Sequence, residues 1–218
     1  MNESVRQWYE KKENVEVMLQ WNQRKLKKWE RSVVDFIPKG ATVLDIGCGM
    51  GREAFALSDM GFSVTGIDIS KEVIKEVTRL ALENCRDISF LHYDGQELPF
   101  EDEVFDAVLI WAQTFGLLYG DDYKRRFLKE CRRVLKKDGY ISFSGHDREY
   151  LTKFYKPCLR ENKFYPYTDA EIYWETFVPQ ELIRYAENAG FSVVLCEQGE
   201  IYKPEDGVVL HCLGKKHR

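Results

Sequence analysis

Val43-Leu44-Asp45-Ile46-Gly47-Cys48-Gly49-Met50-Gly51 carries three glycines at alternate positions behind an apolar run that contains one acidic residue. Thr42 to Ile46 is short, apolar and β-rich, and Gly51 to Met60 has the pattern of a helix closed by Gly61. The glycines therefore form a turn between a strand and a helix. Without Cβ atoms, such a turn lets a ligand come close to the backbone.

A dinucleotide-binding turn needs Gly-x-Gly-x-x-Gly, with the third glycine allowing the helix to pack closely. Counting from Gly47 and Gly49, that place holds the bulky Arg52. A pyrophosphate ligand is therefore disfavoured, and some other cofactor is expected.

Downstream, strands and helices alternate from residue 42 to 145, which predicts an α/β fold with a doubly wound, mostly parallel sheet. Ser63 to Asp68 is the second strand, and Ser70 caps a helix whose Val73, Ile74, Val77, Leu80 and Ala81 form one apolar stripe. Ile88 to Tyr93 and Val104 to Trp111 follow as strands. A helix from Asp122 to Lys136 turns at Lys137-Asp-Gly139 into a fifth strand ending near Gly145. Pro179 opens a helix that closes at Gly190, and Phe191 to Cys196 and Val208 to Leu213 are the last strands.

Composition narrows the function. The chain has 218 residues and a net charge of −4, with an isoelectric point near 5.7. Neither nucleic acid nor anionic lipid gains a global electrostatic attraction. The apolar runs are strand-sized and no charged-then-apolar leader opens the sequence, so neither a membrane span nor a secretion signal is expected, and the cytoplasm is the expected location. Cys48, Cys85, Cys131, Cys158, Cys196 and Cys212 form no Cys-x-x-Cys pair, and His92, His146, His211 and His217 are scattered. Reduced thiols and no metal are expected.

The motif Asp45-x-Gly47-x-Gly49-x-Gly51 resembles motif I of the class I S-adenosylmethionine-dependent methyltransferases. The resemblance extends over about residues 40–214. Asp68, about 20 residues past the turn, matches that family's acidic residue for the ribose hydroxyls. Its other possible role, capping a helix, falls to Ser70. Asp94-Gly95 matches the acidic position that holds the adenine amino group, or is simply a loop turn. Leu98 to Asp106 resembles the loop into the fourth strand, and Arg132 to Gly139 the structural turn before the fifth.

The resemblance implies a Rossmann-like seven-stranded sheet of order 3-2-1-4-5-7-6, its seventh strand antiparallel, with helices on both faces. It implies S-adenosylmethionine as cofactor, S-adenosylhomocysteine as product, and cofactor contacts from Asp45, Gly47, Cys48, Gly49, Gly51, Asp68, Ile69, Asp94, Gly95, Gln96 and Trp111.

Methyl transfer from a sulfonium is an in-line displacement that depends chiefly on positioning. A general base helps only if the acceptor carries a proton. His146, followed by Asp147 after the fifth strand, is the base candidate, with a satisfied loop histidine as the alternative. Trp111 and Phe115 either face the sulfonium or fill the core, and Gln113 lies between them.

Two ring-rich segments flank the core: residues 1–39, with Trp8, Tyr9, Trp21 and Trp29, and the insert 147–177, with Phe154, Tyr155, Phe164, Tyr165, Tyr167, Tyr173, Trp174 and Phe177. They resemble lids of small-molecule methyltransferases; alternatively they only cover the sheet edge. Tyr9, Gln113, Phe115, Tyr165 and Tyr167 are placed in the acceptor pocket, and Arg148, Lys153, Lys156 and Arg160 would suit an anionic acceptor group.

The place of an Asn/Asp-Pro-Pro-Tyr motif reads Ile110-Trp-Ala-Gln113, and Pro157-Cys158 lacks the context of a cytosine-modifying thiol. Basic clusters at Arg24–Lys28, Lys124–Arg126 and Lys215–Arg218 alternate with acids along the chain. A small-molecule acceptor at oxygen or nitrogen is expected, in a monomer or homodimer, with RNA or protein methylation and a non-catalytic cofactor-binding role as rivals.

Overall fold

The computed structural model describes residues 3–21, 25–167, 172–203 and 206–217. Arg24 and Arg218 of the basic clusters lie outside the described residues, as does the side chain of Trp21. Three helices, α1 (Glu3–Glu10), α2 (Lys12–Trp21) and α3 (Lys28–Val34), precede the sheet. The glycine turn joins β1 (Thr42–Ile46) to α4 (Arg52–Asp59), followed by β2 (Ser63–Asp68), α5 (Lys71–Glu83), β3 (Ser89–His92) and β4 (Phe105–Ile110). Next come α6 (Asp121–Val134), β5 (Leu135–Asp147) and α7 (Arg148–Phe154). Short strands β6 (Leu159–Arg160), β7 (Lys163–Phe164) and β8 (Trp174–Phe177) lead to α8 (Pro179–Asn188), β9 (Phe191–Glu200) and β10 (Val208–Lys216).

β1 pairs in parallel with β2 and β4, β2 with β3, and β4 with β5. β10 runs antiparallel between β5 and β9. With β9 as sixth and β10 as seventh strand, this is the 3-2-1-4-5-7-6 order, and helices cover both faces. Side chains alternate across it, as a pleat requires. Leu44, Ile46, Val108, Ile110, Ile141 and Phe143 enter one core with α6 and α8. Val43, Ala107, Leu109 and Trp111 enter the other with α3, α4 and α5. The α5 stripe behaves as its spacing predicts, with Val73, Val77 and Ala81 buried and Ser70 Oγ accepting the N–H of Val73 (3.2 Å).

Three boundaries differ from expectation. The helix before the fifth strand stops at Val134, and the strand starts at Leu135, so Lys137-Asp138-Gly139 is a bulge inside β5. Asp138 holds φ 63° there. β5 also runs past Gly145, so His146 and Asp147 end the strand and do not follow it; His146 pairs with Thr176 of β8. Finally, β6, β7 and β8 form a small antiparallel ladder on the tip of β5. Strands of two residues carry no readable alternation, so no sequence pattern announces them.

Candidate active site

At the carboxyl ends of β1, β2, β4 and β5 lies a cavity of about 460 Å³, roofed by α1 and the insert. Its floor is the glycine turn. The N–H groups of Gly47 and Cys48 both donate to Ile67 C=O (2.8 and 3.1 Å), tying the turn to β2. Gly47, at φ 74°, leaves no room for a Cβ, which would stand 2.7 Å from Thr114 Cγ2. A Cβ on Gly49, at φ 50°, would meet nothing within 4 Å, because this residue faces open space.

Asp68, at the end of β2, stands beside the turn and is 8% exposed. Its carboxylate accepts the N–H groups of Gly49 (3.1 Å) and Ser70 (3.0 Å). Burial pushes this carboxyl up, against the backbone hydrogen bonds that hold it down. A carboxylate has about four lone-pair directions. Those left over on Asp68 border the cavity and suit a pair of neutral hydroxyl donors.

Behind the turn is a buried charged cluster. Arg52 forks onto Glu30, Nη1 to Oε2 at 2.8 Å and Nη2 to Oε1 at 2.7 Å, and also donates to Glu53. Glu30 is fully buried on α3, where it also accepts the Lys27 N–H (2.7 Å). The residue that excludes a dinucleotide turn thus clamps α3 to α4. Asp45 faces this cluster with an Oδ2 that is buried and unpartnered. Burial and the neighbouring Glu53 push its carboxyl well up, and Glu53 is raised chiefly by burial as well. Two carboxyls buried side by side suit an incoming cation. Lys27, Arg52 and Glu53 line the cavity; Asp45 does not. Together, a diol acceptor, a cation-seeking acidic pair and two basic groups fit the ribose, ammonium and carboxylate of S-adenosylmethionine.

The opposite end is made of rings: Trp8 and Tyr9 of α1, Tyr167, Trp174 of β8 and His146 of β5, with Val5, Leu117 and Leu118. Trp8 stacks on Tyr167 (5.2 Å, 25°), and His146 meets Phe164 (4.8 Å) and Trp174 (6.0 Å) edge to face. Burial, with Lys27 nearby, pushes the His146 imidazole down to about 3, so it is neutral at physiological pH.

Of the residues singled out from sequence, Gly47, Cys48, Gly49, Asp68, Ile69, Tyr9, Gln113, Tyr167 and His146 line this cavity, as do Trp8 and Trp174 of the ring-rich segments; Asp45, Gly51, Asp94, Gly95, Gln96, Trp111, Phe115 and Tyr165 do not. Trp111 points to the other face with Ala107 and Leu109, where its Nε1–H donates to Ser142 Oγ (2.8 Å) and Trp29 packs on its edge. Phe115 is core, against Phe143, Phe177 and Tyr185. Gly51 starts α4 at φ 77°, its Cβ position blocked by Phe55 and Val77.

Asp94 is exposed and closes a turn on Gln96 N–H (2.9 Å); Tyr93 and Tyr123 tie down Gln96 and Gly95 through their backbone carbonyls. Tyr93 lines the cavity in their stead. Tyr165 lies outside with Arg160 over its ring. Arg148, which pairs with Glu181, also stays outside, as do Lys153 and Lys156. Asp147 caps α7 through the N–H groups of Glu149 and Tyr150. Sequence reading missed Lys27 and Glu53 as cavity residues. The usable signal was the run Arg52-Glu53 at the head of a mostly apolar helix.

Among the described residues, no group of three or more His, Cys, Asp or Glu side chains could hold a metal. No helix among the described residues is long and apolar enough to cross a membrane.

A family described as "Methyltransferase domain" matches residues 43–139. An uncharacterised protein of Methanocaldococcus jannaschii is 33% identical over 79% of this chain and 74% of its own length. The 2-methyl-6-phytyl-1,4-hydroquinone methyltransferase of Synechocystis is 37% identical over 59% of this chain and 41% of its own. The chain spans about two fifths to two thirds of the length of the methyltransferase-named curated relatives. The Burkholderia thailandensis 1,6-didemethyltoxoflavin-N1-methyltransferase, solved with its substrate and S-adenosylhomocysteine, superposes with a TM-score of 0.68 at 20% identity, over 91% of this chain and 81% of that one.

Proposed function

This chain belongs to the S-adenosylmethionine-dependent methyltransferase family, and from that premise we propose that it methylates an oxygen or nitrogen atom of a small, uncharged, ring-bearing molecule. One observation carries the proposal: the cavity is divided by charge. Arg52, Glu53 and Asp68 belong to the glycine-turn end, Lys27 lies between that end and His146, and Trp8, Tyr9, Tyr167 and Trp174 bring no charge. An acceptor carrying a carboxylate or phosphate would have Lys27 nearby, a buried amine already paired with Glu30 (4.0 Å), so burial would penalise it heavily. The anionic acceptor considered from sequence is therefore set aside, because Arg148, Lys153, Lys156 and Arg160 stand outside the cavity. The names of the Synechocystis and Burkholderia proteins, which describe a hydroquinone and a toxoflavin precursor, agree with a ring-bearing acceptor.

Bound at the glycine-turn end, S-adenosylmethionine supplies a methyl group already activated by its sulfonium. The chain's share is then positioning and exclusion of water. Asp68 fixes the ribose end, and Glu53, with Asp45 behind it, takes the ammonium. Trp8, Tyr9, Tyr167 and Trp174 hold the acceptor ring and keep water out. His146, with its pKa depressed, is a weak proton store at neutral pH but a good hydrogen-bond acceptor for orienting a hydroxyl.

Calorimetric titration with S-adenosylmethionine, S-adenosylhomocysteine and NAD tests the cofactor, and a labelled-methyl assay over neutral and anionic ring compounds tests the acceptor. Binding of the first two, with label passing to neutral rings, is expected. Transfer to anionic acceptors alone would overturn the acceptor class, and tight binding without transfer to any acceptor would leave a non-catalytic role.

A further inference from the structure

Ala112 and Gln113, two consecutive residues other than glycine, hold left-handed backbone at φ 49° and 60° just past β4. Each costs about 1 kcal/mol or more unless its surroundings impose it. Here they do: Gln113 N–H donates to Ser144 Oγ (3.1 Å), Thr114 N–H to Trp111 C=O (3.0 Å) and Gly116 N–H to Gln113 C=O (2.9 Å). The side-chain amide plays no such role. Gln113 lines the cavity, and its Nε2 is buried with no hydrogen-bond partner. A strained turn thus presents an unpaired donor at the cavity wall, and a buried donor without a partner is costly to keep.

His146 belongs to the same wall. It lies two residues beyond Ser144 on β5, so both side chains leave the same face of the strand. The serine that holds the Gln113 backbone is thus a near neighbour of His146 on one strand face, and Gln113 and His146 both line the cavity. His146 contacts rings, and no hydrogen bond to it is found among the described residues. Its neutral imidazole offers one lone pair.

We infer that Gln113 Nε2 and the His146 imidazole form a two-point clamp for a hydroxyl group carried on an uncharged aromatic ring. The inference rests on the proposed methyltransferase function and names its acceptor class. The donor–acceptor count supports a hydroxyl: it takes a hydrogen bond from the amide and gives its own to the imidazole. A carboxylate can only accept, a ring amine accepts poorly, and a hydrocarbon does neither. The ring requirement comes from Trp8, Tyr9, Tyr167 and Trp174 around the clamp.

Equilibrium dialysis of the full chain loaded with S-adenosylhomocysteine, using 2-naphthol, naphthalene and 2-naphthoate as probes of one shape, tests the clamp. With two net hydrogen bonds, 2-naphthol should bind about tenfold or more tightly than naphthalene, and 2-naphthoate should bind weakest. Gln113→Gly suits the left-handed backbone and keeps the fold. It should reduce the naphthol preference about three- to tenfold and leave naphthalene and S-adenosylhomocysteine affinities unchanged. His146→Phe should reduce the preference similarly. Equal binding of naphthol and naphthalene by the unaltered chain, or a full preference retained in Gln113→Gly, would overturn the clamp. Failure to bind S-adenosylhomocysteine would instead overturn the methyltransferase reading, and the same comparison on the unloaded chain would still decide the clamp.

Discussion

At the glycine-turn end of the cavity the polar groups are held by neighbouring backbone: Gly47 and Cys48 on Ile67, and Asp68 between the N–H groups of Gly49 and Ser70. At the ring end, α1, β5, β8 and residue 167 each contribute a side chain, and these meet only once the chain is folded. The first end is therefore specified chiefly by two neighbouring strand ends about twenty residues apart in sequence. The second depends on long-range packing, which lets acceptor recognition differ between chains that share the turn.

The largest expected effect tests the backbone-held end. Asp68→Ala removes two charge-assisted contacts to the ribose and should weaken S-adenosylmethionine binding by about 4 kcal/mol, on the order of a thousandfold, by calorimetry. An affinity within threefold of the unaltered chain would remove Asp68 from that end.

Next in size is the charged cluster behind the turn. Glu30→Ala strips the buried Arg52 of its forked partner and should lower stability in urea by about 3 kcal/mol. If the loss stays under about 1 kcal/mol, α3 is not clamped to the turn as described.

Two histidines are neutral in the fold, His146 among the rings and His211 outside the cavity, tilted against Trp29 (4.6 Å, 32°). Burial pushes His211 down to about 4 and His146 to about 3, below the ordinary value of 6.5. Because the folded pKa is the lower one, the unfolded chain takes up the protons first. Stability is then full above pH 6.5 and falls as pH drops toward 4. From pH 7.5 to 5 each histidine should account for about 2 kcal/mol of that loss. His211→Phe should remove its share in urea titrations at the two pH values, and an unchanged difference would show that His211 is not the titrating group.

The smallest effect lies where the two ends touch. Ser70 Oγ caps α5 and donates to Tyr9 C=O of α1 (3.1 Å). Ser70→Ala should cost about 1 kcal/mol of stability and speed proteolysis within α1 and α2 at native conditions. Unchanged proteolysis would separate the roof from the cap.

How far the sequence could be read follows the same division. Strand order, the turn and Asp68 are local patterns, and Arg52 argued correctly against a dinucleotide. Of the two readings given for Trp111 and Phe115 the structure shows core filling, which sequence could not choose because alternation shows that neighbours face opposite ways, not which face meets the ligand. Asp94 was displaced by Tyr93, whose ring reaches the cavity while the carboxylate turns outward onto Gln96. Glu30 could not be found at all, since its partner Arg52 is more than twenty residues away and carries no shared period, and Lys27 is tied to the cluster through Glu30.

β5 leaves one ladder and enters another. Along its length it pairs with β4 and β10, and at its tip with β8. Amides of Ile141 to Phe143 therefore open only with most of the molecule, whereas α1 and α2 rest mainly on α5. In hydrogen–deuterium exchange terms, the strand bearing the imidazole belongs to the slowest cooperative unit and the roof above it to a fast one. The chain keeps a nearly permanent floor under a cover that can breathe many times in the lifetime of a single fold.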